Sequence, residues 1–570
     1  MLRKVMFFKA RACHCRLGRQ DHVSRPRPLA LVHRQYMPPI SQAKPVFFLS
    51  LSSALLALGF SSFNFPYLVW VGLVPLFFAI EGVSFKKAFV FSYLSGLLFF
   101  MMSMYWLARV TVVGWISLSL YQGIYFGFFG IFCRLILKAK RKAAASCAAF
   151  LAASAMWVLL EYVRAGLFGG IGWNLLAYSQ YRQLPLIQIA DITGAYGVSF
   201  LIVLANFCVF SVSRIILLHR DTGKGPFFSF RTMEIKTAGA SLCLVILSMI
   251  AVIFFYGYPR LISFEADDTG KELIRISLIQ ANINQTQKWD IKYKEHILRR
   301  YESLTMEAKE TSPDMIIWPE TAIPGYLNKE ARLMLYAGEV ARRSNARLLL
   351  GAPMAGIDDK KGLVELNSAV LYSEYGQILQ RYDKLRLVMF GEFIPFEKYL
   401  GGLRAILPVT GNFISGSEHT LFNPRDTGRP VFACLICFED IFPDLARRSA
   451  FSGADFMVNI TNDAWFGRTS AAYQHAANSV FRAVENRRPF ARCANTGLTC
   501  FIKSSGRIYR QVDVNGQAIF VEGFITDEIG LSPCPGLTFY TKYGDIFILS
   551  CLLIIGCFMI DYTRYRKYNK

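Results

Sequence analysis

Eight long apolar runs set the terms for this chain. They span roughly 46–61, 65–82, 88–108, 111–137, 144–163, 190–218, 239–257 and 543–562. About 20 apolar residues make one helix long enough to cross a hydrocarbon core of ~30 Å, and the first run alone is short of that. A chain with this many such runs folds in a bilayer. The composition agrees: 53% of the residues are hydrophobic, only 18% are charged, and 48 are Phe.

The joints between the runs carry the orientation. One set is basic: Lys86 and Lys87; then Lys138, Lys140, Arg141 and Lys142; then Arg220, Lys224, Arg231 and Lys236; and finally the tail with Arg564, Arg566, Lys567 and Lys570. The alternate joints are poor in Lys and Arg. Residues 61–64 have none, the next joint has only Arg109, and the longer one after Val163 has Arg164 and Arg182. Basic loops stay in the cytoplasm, so both termini are expected there and the segment 260–540 outside. Most of the formal charge of +23 sits in these joints and in the basic stretch before the first run. It does not form the continuous basic patch that would bind nucleic acid, and no nucleic-acid partner is expected. The 13 Cys show no regular spacing and imply no disulfide framework.

Residues 1–44 form a basic extension in which Asp21 is the only acid. A targeting segment, a cytoplasmic tail and an over-long start all fit it. Met37 would serve as an alternative start, and no clear small-residue cleavage site follows the first apolar run. The expected organisation is therefore this extension, membrane helices 1–7 over 45–259, an extracytoplasmic domain over 260–540, a C-terminal membrane helix over 541–562, and a basic cytoplasmic tail over 563–570.

Segment 260–540 has ordinary charge density and short apolar runs bounded by turns. The strings ELIRISLIQ, MIIWPE, RLLLGAPM, SAVLYS, VFACLICFE and DFMVNIT read as buried strands. Helical patterns lie between several of them, over 294–309, 330–343 and 472–487. Strands alternating with helices predict a layered α/β domain.

Cys437 ends one of these strands, just before a helix predicted to start near Phe442. A thiol at a strand-to-helix turn has a helix N-terminus nearby, which favours thiolate, and turn N–H groups to bind an oxyanion. An isolated Cys is more often a small buried hydrophobe. Cys434 and Cys437 also have the spacing of a redox or metal pair. Positions three apart on a strand point to opposite faces, however, and no second pair follows to complete a zinc site. Glu320 closes the strand MIIWPE at a sheet edge, a good place for a ligand-facing acid and equally for a solvated one. Lys384 lies in an apolar context with Glu392 nearby to hold its ammonium. Thiol, carboxylate and fixed cation together make an acyl-transfer site that uses neither metal nor cofactor. A Cys–His pair with His475 is the rival within this domain.

The strings IIWPETAIP, YDKLRLVMFGEFIP, CLICFED and NITNDAWFG resemble the nitrilase (carbon–nitrogen hydrolase) superfamily and, more narrowly, the apolipoprotein N-acyltransferase family. The membrane part shares the resemblance through WVLLEYVRAGLFGGIGWNLLAYSQ and IADITGAYGVSFL. The resemblance implies a multi-pass helical membrane domain of about eight helices joined to a four-layer αββα sandwich. It also implies roles: Glu320 as general base, Lys384 as oxyanion-stabilising lysine, Cys437 as nucleophile, Glu392 supporting the lysine, and Glu439 as a further essential acid. Trp289 falls near the acyl-chain entrance, and residues 462–467 frame the pocket. Phe438 stands where the family usually has Tyr, Met389 and Gly172 where it usually has Pro. The implied partners are a phospholipid acyl donor, a diacylglyceryl lipoprotein acceptor and the bacterial inner membrane itself. A membrane-anchored amidase with the same residues is the alternative, and a non-enzymatic transporter or scaffold the third.

Overall fold

The computed structural model describes residues 44–60, 64–138, 147–220, 239–240, 242–265, 272–358, 362–395, 399, 401–402, 413–423, 430–531 and 536–568. The basic extension expected over 1–44 lies outside them except for Lys44, as do most residues of the basic joint 220–236. Residues 43–570 form one compact unit.

Among the described residues, six helices are long and apolar enough to cross a bilayer. They are α3 (Phe85–Ser103), α4 (Val112–Lys138), α5 (Cys147–Gly166), α6 (Ala195–Arg220), α7 (Leu242–Glu265) and α12 (Ile546–Tyr568). The first two apolar runs form shorter pieces. Helix α1 (Lys44–Leu58) has 15 residues, about 22 Å at 1.5 Å per residue. The second run is a 3₁₀ turn (Pro66–Trp70) followed by α2 (Val74–Ile80). Pro66 and Pro75 each start a helical piece at a point where a missing N–H costs nothing. Phenylalanines supply much of the packing between these helices: Phe77 meets Phe129, Phe207 and Phe210, with centroids 5.2–6.1 Å apart.

The second half holds two six-stranded sheets, in the orders β12-β1-β2-β3-β4-β5 and β11-β10-β9-β8-β7-β6. The first contains β1 (Glu272–Gln280), β2 (Met315–Ile317), β3 (Arg347–Asp358), β4 (Gly362–Tyr372), β5 (Ile378–Asp383) and β12 (Gly523–Leu531). The second contains β6 (Leu421–Phe422), β7 (Phe432–Ile436), β8 (Phe456–Thr461), β9 (Phe490–Ala494), β10 (Cys500–Ile502) and β11 (Ile508–Gln511). In each sheet the central strands β1-β2-β3 and β7-β8-β9 are parallel and the flanking strands antiparallel.

Three cores define four layers. Ile276, Leu278, Ile317, Phe432, Ile436, Val458 and Ile460 fill the space between the sheets. Helices α8 (Lys294–Lys309) and α9 (Ala331–Ser344) cover the outer face of the first sheet through Leu298, Leu304, Leu333 and Val340. Helices α10 (Pro443–Phe451) and α11 (Ala471–Asn486) cover the second. Their core runs without a break into that of the membrane helices, so Phe77 and Phe207 belong to the same cluster as Val480 and Phe490.

Helix α11 is therefore enclosed on both sides, and all of its residues except Tyr473 are buried. Its polar groups meet the membrane half. The Gln474 amide accepts from the indole N–H of Trp106 (3.0 Å) and of Trp173 (2.9 Å), and donates to the carbonyls of Phe60 (2.8 Å) and Ser103 (2.9 Å). Glu485 accepts from the Ala195 N–H (3.0 Å) and pairs with Arg482. Arg487 pairs with Asp191 at 2.7 Å, and Asp191 also accepts from Tyr256 at 2.6 Å. Glu161 and Arg164 lie three residues apart near the end of α5. Both are buried and hold the next loop: Glu161 accepts from the Leu176 N–H (2.9 Å), and Arg164 donates to Gln122 (2.6 Å) and to the Trp173 carbonyl (2.8 Å).

Candidate active site

Glu320, Cys437 and Asn462 follow β2, β7 and β8, the parallel strands of the two sheets, and Lys384 follows β5. The first three lie at the ends of buried strands, where open α/β sheets place their ligands, and Lys384 at the end of the partly exposed β5. The turn carrying Glu320 is pressed against β3. A Cβ on Gly351 would come 2.7 Å from the Glu320 Cα, so only glycine fits there.

Lys384 and Glu392 are buried and meet at 2.9 Å; Lys384 and Glu320 meet at 3.3 Å. Asn367, in the middle of β4, donates to both carboxylates, at 2.9 Å to Glu320 and 3.1 Å to Glu392. The other oxygen of Glu320 accepts from the Asn462 N–H (3.0 Å), and that of Glu392 from the Val388 N–H (2.8 Å). Burial works against the charge on Lys384, but Glu392 and Glu320 outweigh it and hold the ammonium well above the usual lysine range.

Cys437 is half-buried and has φ +55, a left-handed conformation costly for a side chain with a Cβ. Asn459 holds the turn by donating to the carbonyls of Leu435 (3.1 Å) and Cys437 (2.9 Å). A 3₁₀ turn (Cys437–Ile441) separates the thiol from α10. The helix-terminus argument, which favours thiolate, is overridden here: burial pushes the thiol well up, the Glu320 charge adds to this, and Lys384 opposes it. An acid and a cation thus act on the sulfur in opposite directions.

Glu439 joins the two key segments. It accepts from the N–H groups of Ile436 (2.8 Å), Leu385 (2.7 Å) and Arg386 (2.9 Å) and from the Tyr382 hydroxyl (3.0 Å). It thereby clamps the residues after Lys384 to the Cys437–Ile441 turn. Burial pushes its pKa up to about 7 against the pull of those donors. Phe438 lies over Lys384, with 5.9 Å from Nζ to the ring centroid, and is edge-on to Phe442. Trp289 is half-exposed.

Two substituted positions sit where the membrane half touches the site loops. A Cβ on Gly169 would lie 3.1 Å from the Met389 methyl, and one on Gly172 would lie 3.1 Å from the Ile441 carbonyl. His475 makes no pair with Cys437 among the described contacts; it is held between Asp440 and Asp463.

The sequence reading missed Asn367, Lys288 and the Asp440–Asp463–Arg492 set. Lys288 is buried and donates to the Glu320 carbonyl at 3.0 Å; burial lowers its pKa to about 8. A polar Asn in the buried strand of β4 was the available signal for Asn367.

Comparison with known proteins places both halves. The family model for the apolipoprotein N-acyltransferase N-terminal domain matches residues 52–208, and that for carbon–nitrogen hydrolase matches 275–522. The apolipoprotein N-acyltransferase of Geobacter metallireducens is 36% identical over 526 residues, covering 91% of this chain and 94% of the relative. The chain belongs to the apolipoprotein N-acyltransferase family. The enzyme of that name from Chlorobaculum tepidum is 32% identical, covering 90% and 96%. Among solved structures, an amidase from Nesterenkonia sp. aligns with 49% of this chain and 95% of its own, at 18% identity and a TM-score of 0.35. This family membership extends through the membrane half, which distinguishes the chain from a carbon–nitrogen hydrolase that lacks one.

Proposed function

We propose that this protein N-acylates lipoproteins at the membrane, moving an acyl chain from a phospholipid to the α-amino group of an N-terminal S-diacylglyceryl-cysteine. The observation that carries this is the relationship to apolipoprotein N-acyltransferases across both halves, with Glu320, Lys384 and Glu392 meeting within 3.3 Å beside Cys437.

In the first half-reaction Glu320 takes the Cys437 proton as the sulfur attacks the ester carbonyl. Lys384 and turn N–H groups hold the oxyanion. The C–O bond breaks, and the departing glycerol oxygen receives the proton from Glu320. This leaves a Cys437 thioester and a lysophospholipid. In the second, the α-amine attacks the thioester, giving up a proton to Glu320. The C–S bond breaks, an amide forms, and the thiolate is reprotonated. Both substrates are anchored by acyl chains worth ~0.8 kcal/mol per buried CH₂, so a site held at the bilayer spares their extraction.

The same proposal assigns 45–259 and 541–562 to the bacterial inner membrane, 260–540 to its outer side, and 1–44 and 563–570 to the cytoplasm. The contacts support this sidedness. Phe60, Ser103, Trp106, Trp173 and Asp191, which touch α11, all lie at or beside the joints poor in Lys and Arg.

The test is complementation of a strain depleted of its own N-acyltransferase, read by mass spectrometry of lipoprotein N-termini. The wild-type chain restores N-acylation and Cys437→Ser does not. Unrestored acylation by a membrane-inserted wild-type chain overturns the proposal.

A further inference from the structure

Behind the nucleophile turn lies a closed set of buried charges that the acyl transfer does not use. Asp440 is on the Cys437–Ile441 turn, Asp463 on the loop after β8, His475 on α11 and Arg492 on β9; all four are at most 1% exposed. His475 Nδ1 lies 2.8 Å from Asp463 and Nε2 lies 3.1 Å from Asp440. Arg492 reaches Asp440 at 2.9 Å and Asp463 at 3.4 Å. The Ser479 hydroxyl donates to Asp440 at 2.5 Å. On the membrane side the Trp173 ring lies tilted against the imidazole, with ring centroids 5.1 Å apart. Glu439 is turned away towards its own N–H donors.

With two carboxylates and one guanidinium, this pocket is neutral only if the imidazole carries a proton. We propose that His475 is a positioning residue that, as an imidazolium, balances Asp440 and Asp463, locks the nucleophile turn to the 462–467 loop, and shields the Cys437 thiolate from Asp463. The geometry is bidentate: one ring nitrogen for each of the two loops that flank the sulfur. Burial opposes the charge, but Asp440 and Asp463 together outweigh it and Arg492, and push the His475 pKa up to about 9. The Asp463 charge in turn raises the Cys437 pKa. The adjacent Gln474 is tied to Trp106 and Trp173, so the same two residues of α11 connect the membrane half to both loops.

This inference rests on Cys437 being the nucleophile, but its readout does not depend on transfer. The full-length protein in detergent is alkylated with iodoacetamide between pH 6 and 10, and the Cys437 peptide is quantified by mass spectrometry. His475→Gln moves the profile up by about one pH unit, or about ten-fold slower labelling at a fixed pH below the midpoint. It lowers kcat about as much with the phospholipid KM unchanged. The double variant His475→Gln/Asp463→Asn, with one charge of each sign removed, returns towards the wild-type profile. An unmoved profile in folded His475→Gln, or a double variant no nearer wild type than the single, overturns the proposal. Should His475→Gln not fold, ¹⁵N-histidine NMR of a chain keeping only His475 decides the matter: an imidazolium at pH 8 is expected, and a neutral ring there refutes it. Cys437→Ser with full activity would instead overturn the functional proposal and leave the alkylation result standing.

Discussion

The Lys384 ammonium lies 2.9 Å from Oε1 of Glu392, and both side chains are almost sealed from water. Asn367 ties that carboxylate to Glu320, so the cation cannot swing without breaking a second contact. An oxyanion would meet a charge already in place, with no reorganisation at the moment of attack.

Removing that ammonium should cost both stability and rate. Lys384→Met leaves Glu320 and Glu392 facing each other in a buried space. Breaking a buried ion pair from one side costs ~3–5 kcal/mol, and loss of an oxyanion donor lowers kcat by ~10²–10³. Denaturant unfolding in detergent and initial rates with a fluorescent phospholipid donor measure the two. A Lys384→Met protein as stable as wild type would show that the carboxylates do not depend on the lysine.

Glu320 and Lys384 act on the resting thiol with opposite signs. Glu320→Gln removes a negative charge, so it should lower the Cys437 pKa and speed alkylation at pH 8 while abolishing transfer. Lys384→Met should slow alkylation. Labelling rates of the Cys437 peptide across pH 7–10 separate the two variants; slower labelling in Glu320→Gln contradicts the charge arrangement.

Asp191 is a buried acid of the membrane half that pairs with Arg487 at the end of α11. Asp191→Asn leaves the guanidinium without its counter-charge at a cost of ~3–5 kcal/mol. The two halves should loosen at this joint, seen as faster hydrogen exchange at the C-terminal end of α11. Unchanged exchange there would mean that the apolar contacts alone hold the halves together.

Stability should also depend on pH through His475. Its folded pKa, about 9, is raised above the usual value near 6.5. The imidazolium therefore contributes stability that is fully present below about pH 6.5 and is lost as the pH rises through 9. Denaturant midpoints at pH 6.5, 8 and 9.5 should fall for the wild type and fall less for His475→Gln. Parallel curves for the two proteins count against the imidazolium.

Much of the architecture was legible because periodicity survives in single elements. ELIRISLIQ is β1 and the pattern over 294–309 is α8, residue for residue. Strands β5, β6, β9, β10, β11 and β12 were not marked. Several are short or half-exposed, and their apolar pattern depends on which sheet face each side covers. Glu320 and Cys437 stood out by their place at strand ends, and Lys384 by its apolar context with Glu392 close by. Asn367 and the Asp440–Asp463–Arg492 set did not, and His475 was read only as a rival partner of Cys437, because contacts such as Asn367–Glu320, His475–Asp440 and Arg492–Asp440 join elements far apart in the chain, a distance that neither spacing nor composition records.

Helix α11 has no free face: sheet lies on one side and membrane helices on the other. An excised 260–540 segment would therefore expose Arg482, Arg487 and a row of alanines that are buried here, and should aggregate. For the same reason a chimera that transplants a soluble hydrolase onto these membrane helices would have to import the whole of α11 with Gln474, since two tryptophans and two backbone carbonyls would otherwise be stranded.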